Sequence, residues 1–395
     1  IAGIKDSDVY GWTGTAGGGR GVWFIRPSTE YYTGGAIKQH IFAHQTGTDP
    51  FIMTHTVDQH LGSVGAYLSE QDGDWVKIGG PIFMYANEGG SQSELWDDAV
   101  AQAVTERDSW PYTWMDNPDY PTERGLVTGT LNITDLSEEG AMVVIARADE
   151  GNTAHWQFNS KDYSFWAFAD SGGNFTVDKI RPGDYWLYVS VDGAAEEHVV
   201  KHIPGDENAQ RITVTADGTV DMGTIEWTPH QFGPSIWKIG EYTRDSSEFL
   251  HGDDYHRWGL WLEFEQDFGT ALDYTIGISQ PSLDWNYAHV GTNGSPTSTS
   301  MTPTTWTIHF NLDTLPTSDQ MALRIPFSSL NNLTINIDVN DLQVARLGGV
   351  AYGADSAVAR ASIWGQYYDN LVKFPTNLLN VGANTITLYH GGTSF

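Results

Sequence analysis

Arg181-Pro182-Gly183-Asp184, running straight into Tyr185-Trp186-Leu187-Tyr188-Val189, is the stretch that decides the fold. A Pro-Gly turn delivers the chain into a short apolar and aromatic run, which reads as a half-buried strand entered from a tight turn. Working outward, the same signature recurs in Leu126-Val-Thr-Gly-Thr-Leu131, Met142-Val-Val-Ile-Ala146, Phe165-Trp-Ala-Phe168, Asn174-Phe-Thr-Val177 and Ile212-Thr-Val214. Residues from Arg124 to about Trp227 therefore read as a β-sandwich of about 100 residues.

Toward the N-terminus, short apolar runs alternate with glycine turns such as Gly17-Gly18-Gly19 and Gly79-Gly80-Pro81, and Ile82-Phe83-Met84-Tyr85-Ala86 reads as a strand. One helix is predicted from about Glu94 to Ser109. Ser91 and Glu94 have capping-box spacing, and Leu95, Ala99, Val100, Ala103 and Val104 recur at helical intervals. Pro111, Pro118 and Pro121 then mark a boundary. Toward the C-terminus, the hinge Pro229-His-Gln-Phe-Gly-Pro234 opens a strand-rich unit whose length and strand content fit a jelly-roll. The reading is thus mostly β and multidomain, divided as 1–122, 123–228 and 229–395.

Bulk composition narrows the function classes. There are 50 Asp and Glu against 20 Lys and Arg, a formal charge of −30, so nucleic acid and anionic membrane surfaces are not expected partners. No apolar run is long enough to span a membrane as a helix. Zero cysteines exclude disulfides, thiolate metal sites and thiol catalysis, without assigning a compartment. The opening Ile-Ala-Gly-Ile-Lys does not have the pattern of a secretory leader. Asn132, Asn174 and Asn332 each begin an Asn-X-Thr sequon, a glycosylation site in a protein secreted by a eukaryote.

The stretch Gly21-Val-Trp-Phe-Ile-Arg-Pro-Ser28, followed by Glu30-Tyr31-Tyr32-Thr-Gly-Gly35, stands apart from this acidic background. Four of the thirteen histidines, His40, His44, His55 and His60, follow it closely. Within residues 1–62, Lys5, Arg20, Arg26 and Lys38 nearly balance Asp6, Asp8, Glu30, Asp49 and Asp58. An anionic ligand is expected here, where repulsion is least. Arg26 either meets that ligand or snorkels at a strand end. Lys38 and His40 lie two apart and share one side of a strand. Tyr31 and Tyr32 serve as a sugar platform or as core. His55 and His60 have no metal-ligand spacing and read as structural or solvent-facing unless a site recruits them. In the last unit, Trp258, Trp261, Trp285 and Tyr287 are candidates for stacking sugars, with core packing the commoner role. Asp253 with Asp254, and Asp338 with Asp341, are the candidates for a structural calcium.

Several segments in order resemble the family 4 polysaccharide lyases, the rhamnogalacturonan endolyases. They are Trp23-Phe-Ile-Arg-Pro-Ser, Glu30-Tyr-Tyr-Thr-Gly-Gly, Lys38-Gln39, His60-Leu-Gly, Gly80-Pro-Ile-Phe-Met-Tyr85 and Leu95-Trp-Asp-Asp-Ala99. Trp110-Pro-Tyr112, Tyr120-Pro121 and Arg124-Gly125 follow, then Trp237-Lys-Ile-Gly240, Arg244, Glu248-Phe249, Asp355-Ser-Ala, Arg360 and Gly365. Tyr10 and Ala36 depart from the family pattern. The resemblance implies the C-terminal part of a mutarotase-like β-super-sandwich, then a fibronectin type III-like sandwich and a jelly-roll carbohydrate-binding-like domain. It implies a secreted enzyme that cleaves the rhamnose–galacturonate linkage of pectic rhamnogalacturonan I by β-elimination. Arg26, Tyr32, Lys38, His40 and His60 would contact the substrate and no cofactor would be required. It also implies that the family's catalytic Lys and His lie upstream of Ile1, on an N-terminal fragment of the same enzyme acting as partner. A non-catalytic carbohydrate-binding relative and a lyase acting on another uronate polymer stay open at this point.

Overall fold

Contacts divide the chain into two compact units, one holding most of residues 4–230 and the other essentially 231–395. The computed structural model describes residues 8–14, 19–31, 41–46, 49–54, 76–146, 162–194, 212–230, 232–243, 246–254, 260–292, 302–327, 334–348 and 368–390, with backbone alone for 41–46 and 49–54.

In the first unit, β1 (Val9–Gly14), β2 (Gly19–Ile25) and β5 (Phe83–Gly89) form an antiparallel sheet with β2 in the centre. Between them in sequence, β3 (Ile41–Thr46) pairs with β4 (Asp49–Thr54), placing His44 opposite Phe51. Helix α1 (Gln92–Ser109) lies on one face of the larger sheet. It starts where the sequence signals it. Ser91 is extended, and its Oγ accepts the Glu94 N–H at 3.2 Å. The Glu94 carboxylate accepts from Gly90 N–H at 2.8 Å, one residue before the usual capping-box donor. Leu95, Ala99 and Ala103 then bury against Val9, Trp23 and Ile25. Trp23 requires two glycines beside it. A Cβ at Gly21 would sit 2.3 Å from Asn87 Oδ1 and 2.4 Å from the indole nitrogen, and one at Gly11 would meet Val22 O at 2.1 Å.

Seven further strands of the same unit build a sandwich. One sheet has β6 (Gly125–Ile133) between β9 (Asn174–Ile180) and β12 (Thr219–Trp227). The other runs β11 (Ile212–Val214), β10 (Gly183–Ser190), β7 (Met142–Ala146), β8 (Ser164–Phe168). Val127, Leu131 and Val177 face Val143, Ile145 and Leu187 in one buried core. Strand β12 pairs parallel with β6, so the ends of the sandwich meet side by side, a long-range pairing that turn signals do not encode.

The second unit has a five-stranded sheet in the order β13 (Ala271–Thr275), β14 (Thr305–Leu312), β19 (Gly382–His390), β16 (Thr334–Val339), β17 (Leu342–Gly348). Strand β15 (Gln320–Phe327) pairs with β18 (Tyr368–Pro375), and two short helices, α2 (Phe264–Phe268) and α3 (Pro281–Asp284), accompany them. The core centres on buried Trp306. Phe264 stacks on it at 5.7 Å, Trp285 meets it edge-on at 4.7 Å and the His289 ring lies at 4.3 Å. Ile308, Ile337, Phe374 and Ile386 complete the packing.

Candidate functional site

Strand β2 ends at Ile25, and Arg26 follows with no exposed surface. Its backbone N–H donates to Asp8 O at 2.8 Å, and its guanidinium stands 5.5 Å from the Tyr10 ring centre. That contact braces the strand end from inside the fold. Four residues on, Glu30 enters the interior and organises the most elaborate polar cluster among the described residues.

The Glu30 carboxylate accepts from Arg124 Nη1 at 2.7 Å and from Arg181 Nε at 2.9 Å, and Arg181 Nη2 is 2.8 Å away. All three side chains are almost fully buried. Aromatic rings wall the cations. Arg181 lies 3.7 Å from the Tyr163 ring centre, and Arg124 lies 4.7 Å from that of Trp110. The remaining donors find carbonyls. Arg181 Nη1 donates to Asp119 O at 2.7 Å, and Arg124 Nε donates to Pro121 O at 2.7 Å. The main chain joins in, since Ser164 N–H donates to Glu30 O at 2.9 Å and Ile78 N–H donates to Tyr163 Oη at 2.8 Å. The cluster ties residues 30, 78 and 119–124 to the sandwich at 163–164 and 181.

Lys77 borders this cluster, its Nζ 5.6 Å from the Tyr163 ring centre. Burial pulls its ammonium down to about 7, against the opposing influence of Asp162 and Glu30, and Arg181 adds to the depression. Burial likewise raises the phenols of Tyr120 and Tyr163. In Tyr112 it acts together with the Glu106 carboxylate, which accepts the Tyr112 hydroxyl hydrogen.

A second, surface-facing constellation sits where α1 meets β5. Trp23 Nε1 donates to Asn87 Oδ1 at 2.8 Å. Asn87 Nδ2 and the Tyr85 hydroxyl both donate to Asp98 Oδ2, at 2.8 and 2.7 Å. Those two bonds hold the Asp98 carboxyl below its ordinary range. Trp96 stands beside it, edge-on to Trp23 at 5.7 Å.

Of the residues expected to contact substrate, Arg26 is enclosed as described, while Tyr32, Lys38, His40 and His60 lie outside the described residues. Asn332 lies outside them too. Asn132 is exposed on β6 and its amide donates to Glu226 Oε2 at 2.6 Å. Asn174 is exposed at the start of β9 and its amide donates to the Asp170 carboxylate at 3.1 and 3.2 Å. Trp285 is partly buried and packs against the aromatic core, in T-shaped contact with Trp306 and Tyr274. Trp258 and the Trp261 side chain lie outside the described residues. Asp254 engages His251 Nδ1 at 3.2 Å, and burial with the nearby Asp341 raises the Asp338 carboxyl. Among the described residues no group of three or more His, Asp or Glu is placed to hold a metal.

Sequence reasoning did not anticipate the meeting of Glu30 with Arg124 and Arg181. The available signal was their position: each arginine stands one or three residues from a proline at an element boundary, in a chain with few cations. Nothing in their spacing says that they converge.

These observations define a multidomain β protein with a sandwich and a jelly-roll-like unit. Residues 138–222 match the model of polysaccharide lyase family 4, domain II, of fibronectin type III-like kind, and residues 235–394 match that family's domain III, which is carbohydrate-binding-module-like. The chain belongs to polysaccharide lyase family 4. It is 29% identical over 394 residues to a rhamnogalacturonate lyase of Dickeya dadantii, a match that covers 98% of this chain and 61% of the relative. It is 28% identical over 342 residues to rhamnogalacturonate lyase B of Emericella nidulans, covering 78% of this chain and 47% of the relative. A probable rhamnogalacturonate lyase B of Aspergillus flavus is 25% identical over 438 residues. The chain therefore spans about half to three-fifths of the length of these relatives. Among solved structures, a cohesin–X-dockerin complex from Acetivibrio cellulolyticus matches with a TM-score of 0.16 at 18% identity, covering 25% of this chain and 52% of that one. That likeness bears no argument.

Proposed function

We propose that this chain is the C-terminal portion of a secreted rhamnogalacturonan endolyase that cuts the rhamnose–galacturonate linkage of pectic rhamnogalacturonan I by β-elimination. The observation that carries this reading is the match to the Dickeya dadantii enzyme along 98% of the chain, with family domains II and III in order. Elimination removes the proton alpha to a uronate carboxylate and expels the neighbouring sugar oxygen. The site must neutralise the carboxylate, stabilise the developing enolate and present a base. Lys38 supplies the cation in this proposal, with Tyr32, His40 and His60 hydrogen-bonding the sugar. Arg26 is enclosed against Tyr10, and its proposed part is to brace the end of β2.

The base belongs to an N-terminal polypeptide of the same enzyme, which is the proposed partner. The elimination itself is proposed to need no cofactor, with calcium confined to a structural role. Asn132, Asn174 and Asn332 are the proposed glycan acceptors.

The test is ultraviolet absorbance of unsaturated uronate during incubation with rhamnogalacturonan I, with intact-mass analysis of the same sample. Rising absorbance with a co-purifying fragment supports the reading. Rising absorbance from this chain alone puts the base on this chain and overturns that part. Sugar binding without any rise replaces the lyase with a binding protein.

A further inference from the structure

The charge of this protein is lopsided in composition, and folding makes its surface more so. With 50 acidic and 20 basic residues, carboxylates outnumber cations even before location is considered. The fold then withdraws a large share of the described cations from the surface. Arg26 has no exposure, the Arg124, Arg181 and Arg324 side chains are 3%, 7% and 7% exposed, and Lys77 is partly buried beside them. These groups serve buried partners: Glu30 for Arg124 and Arg181, and Asp369 with the Tyr242 ring for Arg324. They neutralise nothing on the outside.

Among the described residues the outside carries mostly carboxylates, with Arg20, Arg107, Lys238, Arg346 and Lys373 as exposed cations. Helix α1 exposes Glu94, Asp97, Asp98 and Asp108 with Arg107 as its one basic residue, and Arg107 pairs with Asp8. The sandwich exposes Asp178, Asp184, Asp217, Asp221 and Glu226. Arg20–Glu88 and Lys238–Glu241 pair a cation with an exposed carboxylate.

We infer that this protein is built to stay folded in concentrated salt, with hydrated cations acting collectively on its surface. The physical reason is range. The screening length is about 30 Å at 0.01 M salt, about 10 Å at 0.1 M and about 3 Å at 1 M. In dilute buffer each surface carboxylate therefore repels many others, and the compact state bears more of that self-repulsion than the expanded chain, whose charges lie farther apart. In molar salt only immediate neighbours interact. The effect belongs to the whole surface and requires no coordination site. It is independent of the lyase reading, because it concerns stability alone.

Thermal unfolding of the full chain, followed by near-ultraviolet circular dichroism across NaCl concentration, tests this. The midpoint is expected to rise by about 10 °C or more between roughly 0.05 M and 2 M NaCl. A flat or falling midpoint overturns the inference. A variant carrying Asp108→Lys, Asp116→Lys and Glu123→Lys, at three exposed carboxylates, removes one negative charge and adds one positive charge at each position. It is expected to melt higher in dilute buffer and to respond less steeply to salt. An unchanged slope would mean that salt acts by strengthening apolar burial, which charge reversal does not touch, and would also overturn the inference. If the variant does not fold, the shape of the unaltered chain's response decides: a rise that levels off as the screening length falls to a few ångströms supports the inference, and one that keeps growing linearly through molar salt is apolar burial and overturns it.

Discussion

Glu30 is the residue on which the interior of the first unit depends most. Two arginines converge on one carboxylate away from water, so removing its charge leaves two buried cations without their anion. Breaking such a pair costs far more than replacing it as a whole, because the orphaned charge keeps its desolvation penalty. Glu30→Gln is expected to destabilise the protein by about 3–5 kcal/mol, read by urea unfolding under tryptophan fluorescence. A loss within the range of ordinary surface substitutions would demote the cluster to decoration. Lys77 makes a prediction of opposite character. Its folded-state value is depressed to about 7 from 10.5, so between those limits the unfolded chain holds the extra proton. Stability from this group is then lowest below about pH 7 and recovers as pH rises toward 10.5. Lys77→Met should flatten the rise in stability between about pH 7 and pH 9, measured by urea midpoints across that window. A variant whose pH profile tracks the unaltered protein would remove Lys77 from the account.

At the scale of elements, α1 separates what periodicity says from what packing decides. Leu95, Ala99, Val100, Ala103 and Val104 all fit a helical repeat, yet only Leu95, Ala99 and Ala103 face the sheet. Val100 and Val104 are left exposed, in line with Trp96. A helix can offer two neighbouring apolar stripes, and the sheet covers one. Leu95→Ala should therefore cost about 2–5 kcal/mol, and Val104→Ala less than about 0.5 kcal/mol, by chemical denaturation. Comparable losses at the two positions would place the helix in a different rotation. The strand readings divide along similar lines. β11 alternates as read and β7 stands where its apolar run puts it, though buried on both faces, whereas β12, β13, β17 and β18 were not signalled. Strand β12 reads Thr-Val-Asp-Met-Gly-Thr-Ile-Glu-Trp, polar at alternate positions and mostly exposed, and it is a strand because β6 lies beside it.

For the whole molecule, the two compact units each carry a core of their own, around Val143 and Ile145 in one and around Trp306 in the other. Trp306→Ala removes a buried ring that touches Phe264, Trp285 and His289, a change expected to cost about 3–5 kcal/mol. Differential scanning calorimetry should show one of two transitions shifting down while the other stays in place. Both moving together would mean that the units unfold as one.

The amino-acid order by itself determined the mostly β character, the place and cap of α1, many of the strands, and the family resemblance that domains II and III bear out. Each of these rests on neighbours a few residues apart: alternation, a turn, a cap, a motif. The tertiary structure alone decided that Arg26 turns inward, that Glu30 gathers arginines from 94 and 151 residues away, and that Trp285 packs against a core. A charge scarcely reveals in sequence whether it will face water, because that depends on which distant groups arrive to replace the water it loses.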